Sequence, residues 1–204
     1  MVRSDIGPSD VEPTVFMVDD TPQMRASIER HLRAHKIPSR SFVSADHFLS
    51  QYDPSWPGCL LLDLRMKGAN GLDLQRQLLQ RGFRIPMIVI SSVAEVPEVV
   101  SAIRAGAVDF LEKPIREEAL LRAVREGLAR DRDRRADEAK LAALTHRERQ
   151  ILELLVAGEN YKEIASRLKV SPKTVEGHRV NLLKKLGLRS VVEAVRFVLE
   201  RHLS

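Results

Sequence analysis

A single cysteine in 204 residues leaves no disulfide framework, which suits a reducing cytoplasm. No apolar stretch opens the chain either. Residues 1–13 mix charges, proline and glycine, and read as a disordered tail, not as a signal peptide or a membrane span. Internal repeats and low-complexity tracts are missing too. What remains is long for one small domain and comfortable for two. The formal charge of +5 is unevenly placed, with 15 basic and 14 acidic residues from Thr14 to Leu128 but 12 and 7 from Leu141 to Ser204. That C-terminal surplus is expected of a part that meets a polyanion.

The boundary lies in the charge pattern. From Leu120 to Leu128 a helical period continues, and it then enters residues 129–140, which begin Ala129-Arg130-Asp131-Arg132-Asp133-Arg134. These are good helix formers without an apolar face, so a solvated helical linker is expected between a domain at 14–128 and one at 141–204.

In the first part, short apolar runs alternate with amphipathic segments. Val15 to Val18, a weaker run near Ser39 to Val43, Cys59 to Leu62, Met87 to Ile90 and Val108 to Leu111 read as strands. Pro22 to His35, Ser44 to Tyr52, Leu72 to Leu79, Val96 to Ala105 and Glu117 to Leu128 read as helices. Five such alternations predict an α/β domain with a doubly wound, five-stranded parallel sheet of flavodoxin type, covered on both faces. The C-terminal ends of parallel strands share one edge, where ligands bind. Asp19 and Asp20, Asp63, Ser91 and Lys113 all fall at or just beyond those ends. Carboxylates brought that close repel one another unless a hard cation sits among them, and Mg2+ or Mn2+ meets that need.

Each residue has a plainer explanation. An Asp-Asp pair can be a helix cap, Asp63 a turn residue, Ser91 loop chemistry, Lys113-Pro114 a solvated turn, and Phe110 a core aromatic. Together these would require four independent coincidences.

Residues Val18-Asp19-Asp20, Leu62 to Leu72, Ile90-Ser91-Ser92 and Asp109 to Pro114 resemble the receiver domain of bacterial response regulators. The resemblance implies that Asp63 accepts a phosphoryl group from a sensor histidine kinase. It also implies that Asp20 and Asp63 bind Mg2+, aided by the Arg65 backbone carbonyl and by Asp19 through water. Ser91 and Lys113 would hold phosphoryl oxygens, and Phe110 would turn inward when Ser91 moves. Lys67 stands where the family usually has proline, Ser91 replaces the commoner threonine, and residues 92–96 lack the usual glycine-bearing loop.

The last 64 or so residues predict an all-α module of four short helices. Thr145 and Glu148 form a capping box, Asn160 can cap a helix over Tyr161 to Leu168, and Ser171 caps a third with Pro172 at its first position. Ser190 and Glu193 form another capping box, opening a helix to about His202. In the third helix Val175, Leu182, Leu183 and Leu186 share an inward face. Glu176, Gly177, Val180, Asn181 and Lys184 share the opposite stripe. A valine and a mid-helix glycine have no solvation rationale there, whereas against DNA Val180 can meet a thymine methyl and Gly177 permits close approach. Asn181 or Glu176 can bond base edges, and Thr174 lies in the same helix; Lys162, Lys173, Arg179, Lys184 and Lys185 are candidate phosphate contacts.

Leu144 to Leu152, Lys162 to Ala165 and Thr174 to Leu186 are similar to the LuxR-type helix-turn-helix. Receiver plus this module is the NarL/FixJ arrangement, nearer FixJ because of Thr-Val-Glu-x-His-Arg-x-Asn. It implies a cytoplasmic transcription factor that dimerises on phosphorylation and binds repeated half-sites in double-stranded promoter DNA, with no enzyme activity beyond its own aspartyl phosphorylation and slow dephosphorylation. Two other readings compete. A haloacid-dehalogenase-type phosphohydrolase also uses an aspartyl nucleophile, but usually places a second carboxylate two residues later, where this chain has Arg65. A dimerisation scaffold indifferent to phosphorylation is the other.

Overall fold

The computed structural model describes residues 12–66, 69–92 and 96–202. Most of the N-terminal tail, Lys67, and the centre of the segment after Ser92 lie outside the described residues. The chain divides into two compact units, one ending at Asp133 and one beginning at Arg134.

The first unit contains β1 (Thr14–Val18), α1 (Pro22–Ala34), β2 (Ser39–Phe42), α2 (Ala45–Gln51) and β3 (Gly58–Asp63). A two-residue antiparallel pair follows, β4 (Arg65–Met66) with β5 (Ala69–Asn70), then α3 (Gly71–Gln80), β6 (Met87–Ser91), α4 (Val96–Arg104) and β7 (Ala107–Glu112). The start of α5 (Glu117–Ala142) completes the unit. The main strands form one all-parallel sheet in the order β2-β1-β3-β6-β7. The expected strands and helices are present, and the small β4–β5 pair was not anticipated.

Side chains alternate across a strand, so one apolar run feeds two cores. Val15 and Met17 of β1 pack with Ile28 and Leu32 of α1 and with Leu120 and Val124 of α5. Phe16 and Val18 point to the other side and pack with Phe48 of α2 and Leu74 and Leu78 of α3. Each face buries its own helix pair. That is why β3, central and covered twice, is buried at every position.

α5 continues helically through the expected linker, as its composition predicts, but the solvated reading fails at Asp131. Asp131 is buried and accepts a hydrogen bond of 2.8 Å from the Gly58 amide at the foot of β3. Nearby, burial first and the Asp131 charge second push the Cys59 thiol up to about 12, so this cysteine is an inert core group.

The second unit carries α6 (His146–Val156), α7 (Tyr161–Leu168), α8 (Pro172–Leu186) and α9 (Val191–His202) around one core that includes Ile151, Ile164, Val175, Leu182 and Phe197. Capping boxes open α6 at Thr145 and α7 at Asn160, and the Ser171 hydroxyl caps α8. At Ser190 only half of the predicted box forms. The Ser190 hydroxyl accepts from the Glu193 amide, but the Glu193 carboxylate takes the Arg189 amide in place of the cap residue's own. Between α7 and α8, Lys169 adopts a left-handed conformation (φ 54°) whose amide satisfies the last carbonyls of α7.

Candidate functional site

The acidic residues meet at the C-terminal edge of the sheet because β1 and β3 are adjacent and in register, Val18 opposite Leu62. Asp19 lies one residue past β1 and Asp63 ends β3; both are buried, and Asp20 is half-buried. One carboxylate oxygen from each of the three lies within 4.8 Å of the others. The pair lies just before the cap position of α1 rather than at it. The residue at the cap of α1 is Thr21, whose amide donates to Asp19 Oδ1 at 2.7 Å.

Lys113, one residue beyond β7, reaches this edge. Its Nζ lies 2.7 Å from Asp63 Oδ2 and 3.3 Å from Asp19 Oδ2. The Lys113–Pro114 peptide is cis, and the Lys113 amide donates to the Ser91 carbonyl. Ser91 ends β6, fully buried, with its neighbour Ile90 opposite Asp63. Arg65 donates its amide to Asp63 Oδ1 at 3.1 Å. Phe110 is half-buried in β7, against a small cluster containing Leu64 and Ala102.

Burial drives the Asp63 carboxyl above the usual carboxylate range, with the neighbouring Asp19 charge adding to it, and the hydrogen bonds from Lys113 and Arg65 only partly offset this. Burial also works against the Lys113 ammonium, but Asp63 and Asp19 outweigh it and hold the lysine above its ordinary value. Three carboxylates beside one ammonium leave a surplus of negative charge on hard oxygen donors. This donor set fits a Mg2+-type ion.

Some contacts had no sequence signal. The Arg25 guanidinium donates to the Asp19 carbonyl. Gly71, although part of the quoted motif, has a role only the structure shows: a Cβ there would lie 2.4 Å from the Asp63 carbonyl oxygen. Gly71 therefore lies against the backbone of Asp63 and Leu64.

In the second unit the expected outward stripe of α8, Glu176, Gly177, Val180, Asn181 and Lys184, is exposed, with Val180 52% accessible, and Thr174 is exposed too. Beyond its own helix backbone, nothing lies within 4 Å of where a Gly177 Cβ would be. Lys162 and Lys173 are exposed as well. Two candidate phosphate contacts also have partners within the unit. Arg179 is half-buried, donates to the Tyr161 hydroxyl at 3.2 Å and stacks over that ring. Lys185 pairs at 2.7 Å with buried Glu148, tying α8 to α6. Neither pairing could be read from sequence, because 18 and 37 residues separate the partners.

A buried carboxylate cluster with a lysine at a sheet edge in one unit and an exposed, partly apolar helix face in the other fit a class, the regulators that convert a chemical signal into DNA recognition. Comparison with known proteins gives the family. Residues 15–125 match the response regulator receiver domain, and residues 142–198 match the bacterial regulatory proteins of the luxR family. The transcriptional regulatory protein TdiR of Thauera aromatica is 41% identical over 91% of this chain and 85% of its own. FixJ of Azorhizobium caulinodans is 38% identical, over 91% of both chains. The solved response regulator StyR superposes with a TM-score of 0.60 at 38% identity, covering 93% of this chain and all of its own. This chain belongs to the response regulators of two-component systems that join a receiver domain to a LuxR-type DNA-binding domain.

Receiver domains bind Mg2+ at an acidic cluster of this kind, and the two modules imply a histidine kinase partner and DNA binding. The family consists of transcriptional regulators, not classical enzymes. Among the described residues no helix is long and apolar enough to cross a membrane.

Proposed function

We propose that Asp63 is the phosphoacceptor and that its phosphorylation by a sensor histidine kinase promotes receiver dimerisation and binding to promoter half-sites from the cytoplasm. The observation that carries this is the pairing of buried Asp63 with Lys113, beside Asp19 and Asp20, at the sheet edge. In the transfer, a carboxylate oxygen of Asp63 forms the O–P bond as the N–P bond to the kinase imidazole breaks. Lys113, its ammonium already 2.7 Å from Asp63 Oδ2, offers positive charge to the oxygens on which negative charge accumulates. Ser91 contributes a hydroxyl to the same group. Asp19, Asp20, Asp63 and the Arg65 carbonyl would hold Mg2+ or Mn2+, which supplies further neutralisation of phosphoryl charge when bound. Phe110 fills space vacated when the Ser91 hydroxyl is drawn to the phosphoryl group. The receiver supports only this transfer and its own slow dephosphorylation.

We assign residues 14–128 to the receiver, 129–140 to the helical linker and 141–204 to the DNA-binding domain. In the latter, Glu176, Gly177, Val180 and Asn181 face the bases, Lys162, Lys173, Arg179, Lys184 and Lys185 are phosphate contacts, and Thr174 is a further DNA contact.

Sedimentation of the full chain and of Asp63→Asn, with Mg2+ and beryllofluoride as a mimic of the aspartyl phosphate, tests the reading. Wild type should dimerise and Asp63→Asn should not. No shift in wild type would favour the scaffold that ignores phosphorylation.

A further inference from the structure

Helix α4 buries little of its described surface. Among its described side chains only Ala102 is fully buried, while Val100 and Ile103 are 40% and 49% accessible. Ala102 sits in a small cluster with Leu64, Val89 and Ala107, against which Leu72 and Phe110 pack. Leu64 directly follows Asp63. The apolar contact that seats α4 is therefore one residue from the acceptor carboxylate, and it includes the aromatic of β7.

The other attachment is polar and comes from α3. Gln75 is fully buried, and its Nε2 donates to the Ala102 carbonyl at 3.2 Å and to the Ala105 carbonyl at 3.0 Å. These are carbonyls of the last turn of α4 and the residue after it, which the helix cannot satisfy itself. Two carbonyl acceptors decide which end of the amide faces α4. They also consume both of its protons. The remaining atom, Oε1, is buried with no hydrogen-bond partner among the described residues. A buried acceptor without a partner weighs against this arrangement, so the amide is a latch under tension.

We infer that Gln75 is a positioning residue that holds the C-terminal end of α4 in the unphosphorylated receiver and thereby sets how readily the signal at Asp63 repositions that helix. Among the described side chains of α4 only the Ala102 methyl is fully buried, so removing the amide leaves the seating of this end of the helix chiefly to the cluster of Leu64 and Ala102, which adjoins Asp63. The inference rests on Asp63 being the acceptor for its signalling consequence, and on geometry alone for the latch.

The experiment compares full-length wild type with Gln75→Met, which keeps length but removes both donors and the orphaned acceptor, and with Gln75→Glu, which sets a carboxyl against the two carbonyls. Amide hydrogen exchange should accelerate by about tenfold or more in residues 96–105 of the variants while the remainder of the receiver is unchanged. The beryllofluoride concentration for half-maximal dimerisation should fall by about threefold or more. Uniformly faster exchange, or none in α4, would make Gln75 an ordinary core residue and overturn the latch. So would unchanged dimerisation where wild type responds. If wild type does not respond, the acceptor reading fails and exchange alone decides the latch. Should both variants fail to fold, the wild-type Gln75 side-chain amide protons decide: slow exchange that quickens with beryllofluoride supports the latch, and rapid exchange throughout refutes it.

Discussion

If Gly177 faces DNA, it sets protein stability against recognition, and replacing it with alanine separates the two. In the middle of an exposed helix face, glycine costs about 1 kcal/mol relative to alanine. The structure shows no reason internal to the fold for accepting that cost: beyond its own helix backbone nothing lies within 4 Å of a Cβ at this position, and the backbone is ordinary α8. Gly177→Ala should therefore stabilise the DNA-binding unit by about 1 kcal/mol. For a unit of its size that raises Tm by about 4–8 °C. If the open space is where the DNA surface approaches α8, the same methyl should weaken binding by about tenfold, or about 1.4 kcal/mol. Thermal unfolding of the full chain followed by circular dichroism gives the first number. Fluorescence anisotropy, on a duplex that wild type selects from a random pool, gives the second. A raised Tm with affinity within about twofold of wild type would refute the idea that glycine is there for close approach.

Adjacent lysines should behave differently. Lys184→Ala should weaken binding to all duplexes and reduce the salt slope by about 1, whereas Lys185→Ala should chiefly lower Tm, since its ammonium pairs with Glu148. Glu148 links folding to acid: burial opposes its ionisation, but bonds from Lys185 and from Thr145 outweigh this and hold the carboxyl below its ordinary value of 4.5. A folded value below the unfolded one contributes stability that is complete above pH 4.5 and lost as pH falls through the folded value. Glu148→Gln should thus destabilise the unit by about 1–3 kcal/mol at neutral pH and lose that acid-sensitive part of the unfolding profile; an unchanged pH profile would show that the pair contributes nothing.

Much was legible in the chain because local chemistry wrote it there. Strand runs, capping residues and the position of Asp63, Ser91 and Lys113 at strand ends follow from period and spacing, and parallel strands share an edge whatever their order. The outward stripe of α8 was equally visible, since helical geometry alone places Val180 and Gly177 together. What tertiary structure decided were contacts between residues distant in sequence. Lys185 and Arg179 look like free cations in a basic helix, but folding brings Glu148 and Tyr161 against them. Asp131 belongs to a charge run that composition assigns to solvent, and it is buried because α5 passes over the foot of β3, where the Gly58 amide needs an acceptor. Gln75 reads as one more polar residue on an amphipathic helix. Only the packing of α3 against α4 gives its amide two carbonyls to hold, because a hydrogen bond between helices depends on where the helices lie and leaves no period in the sequence.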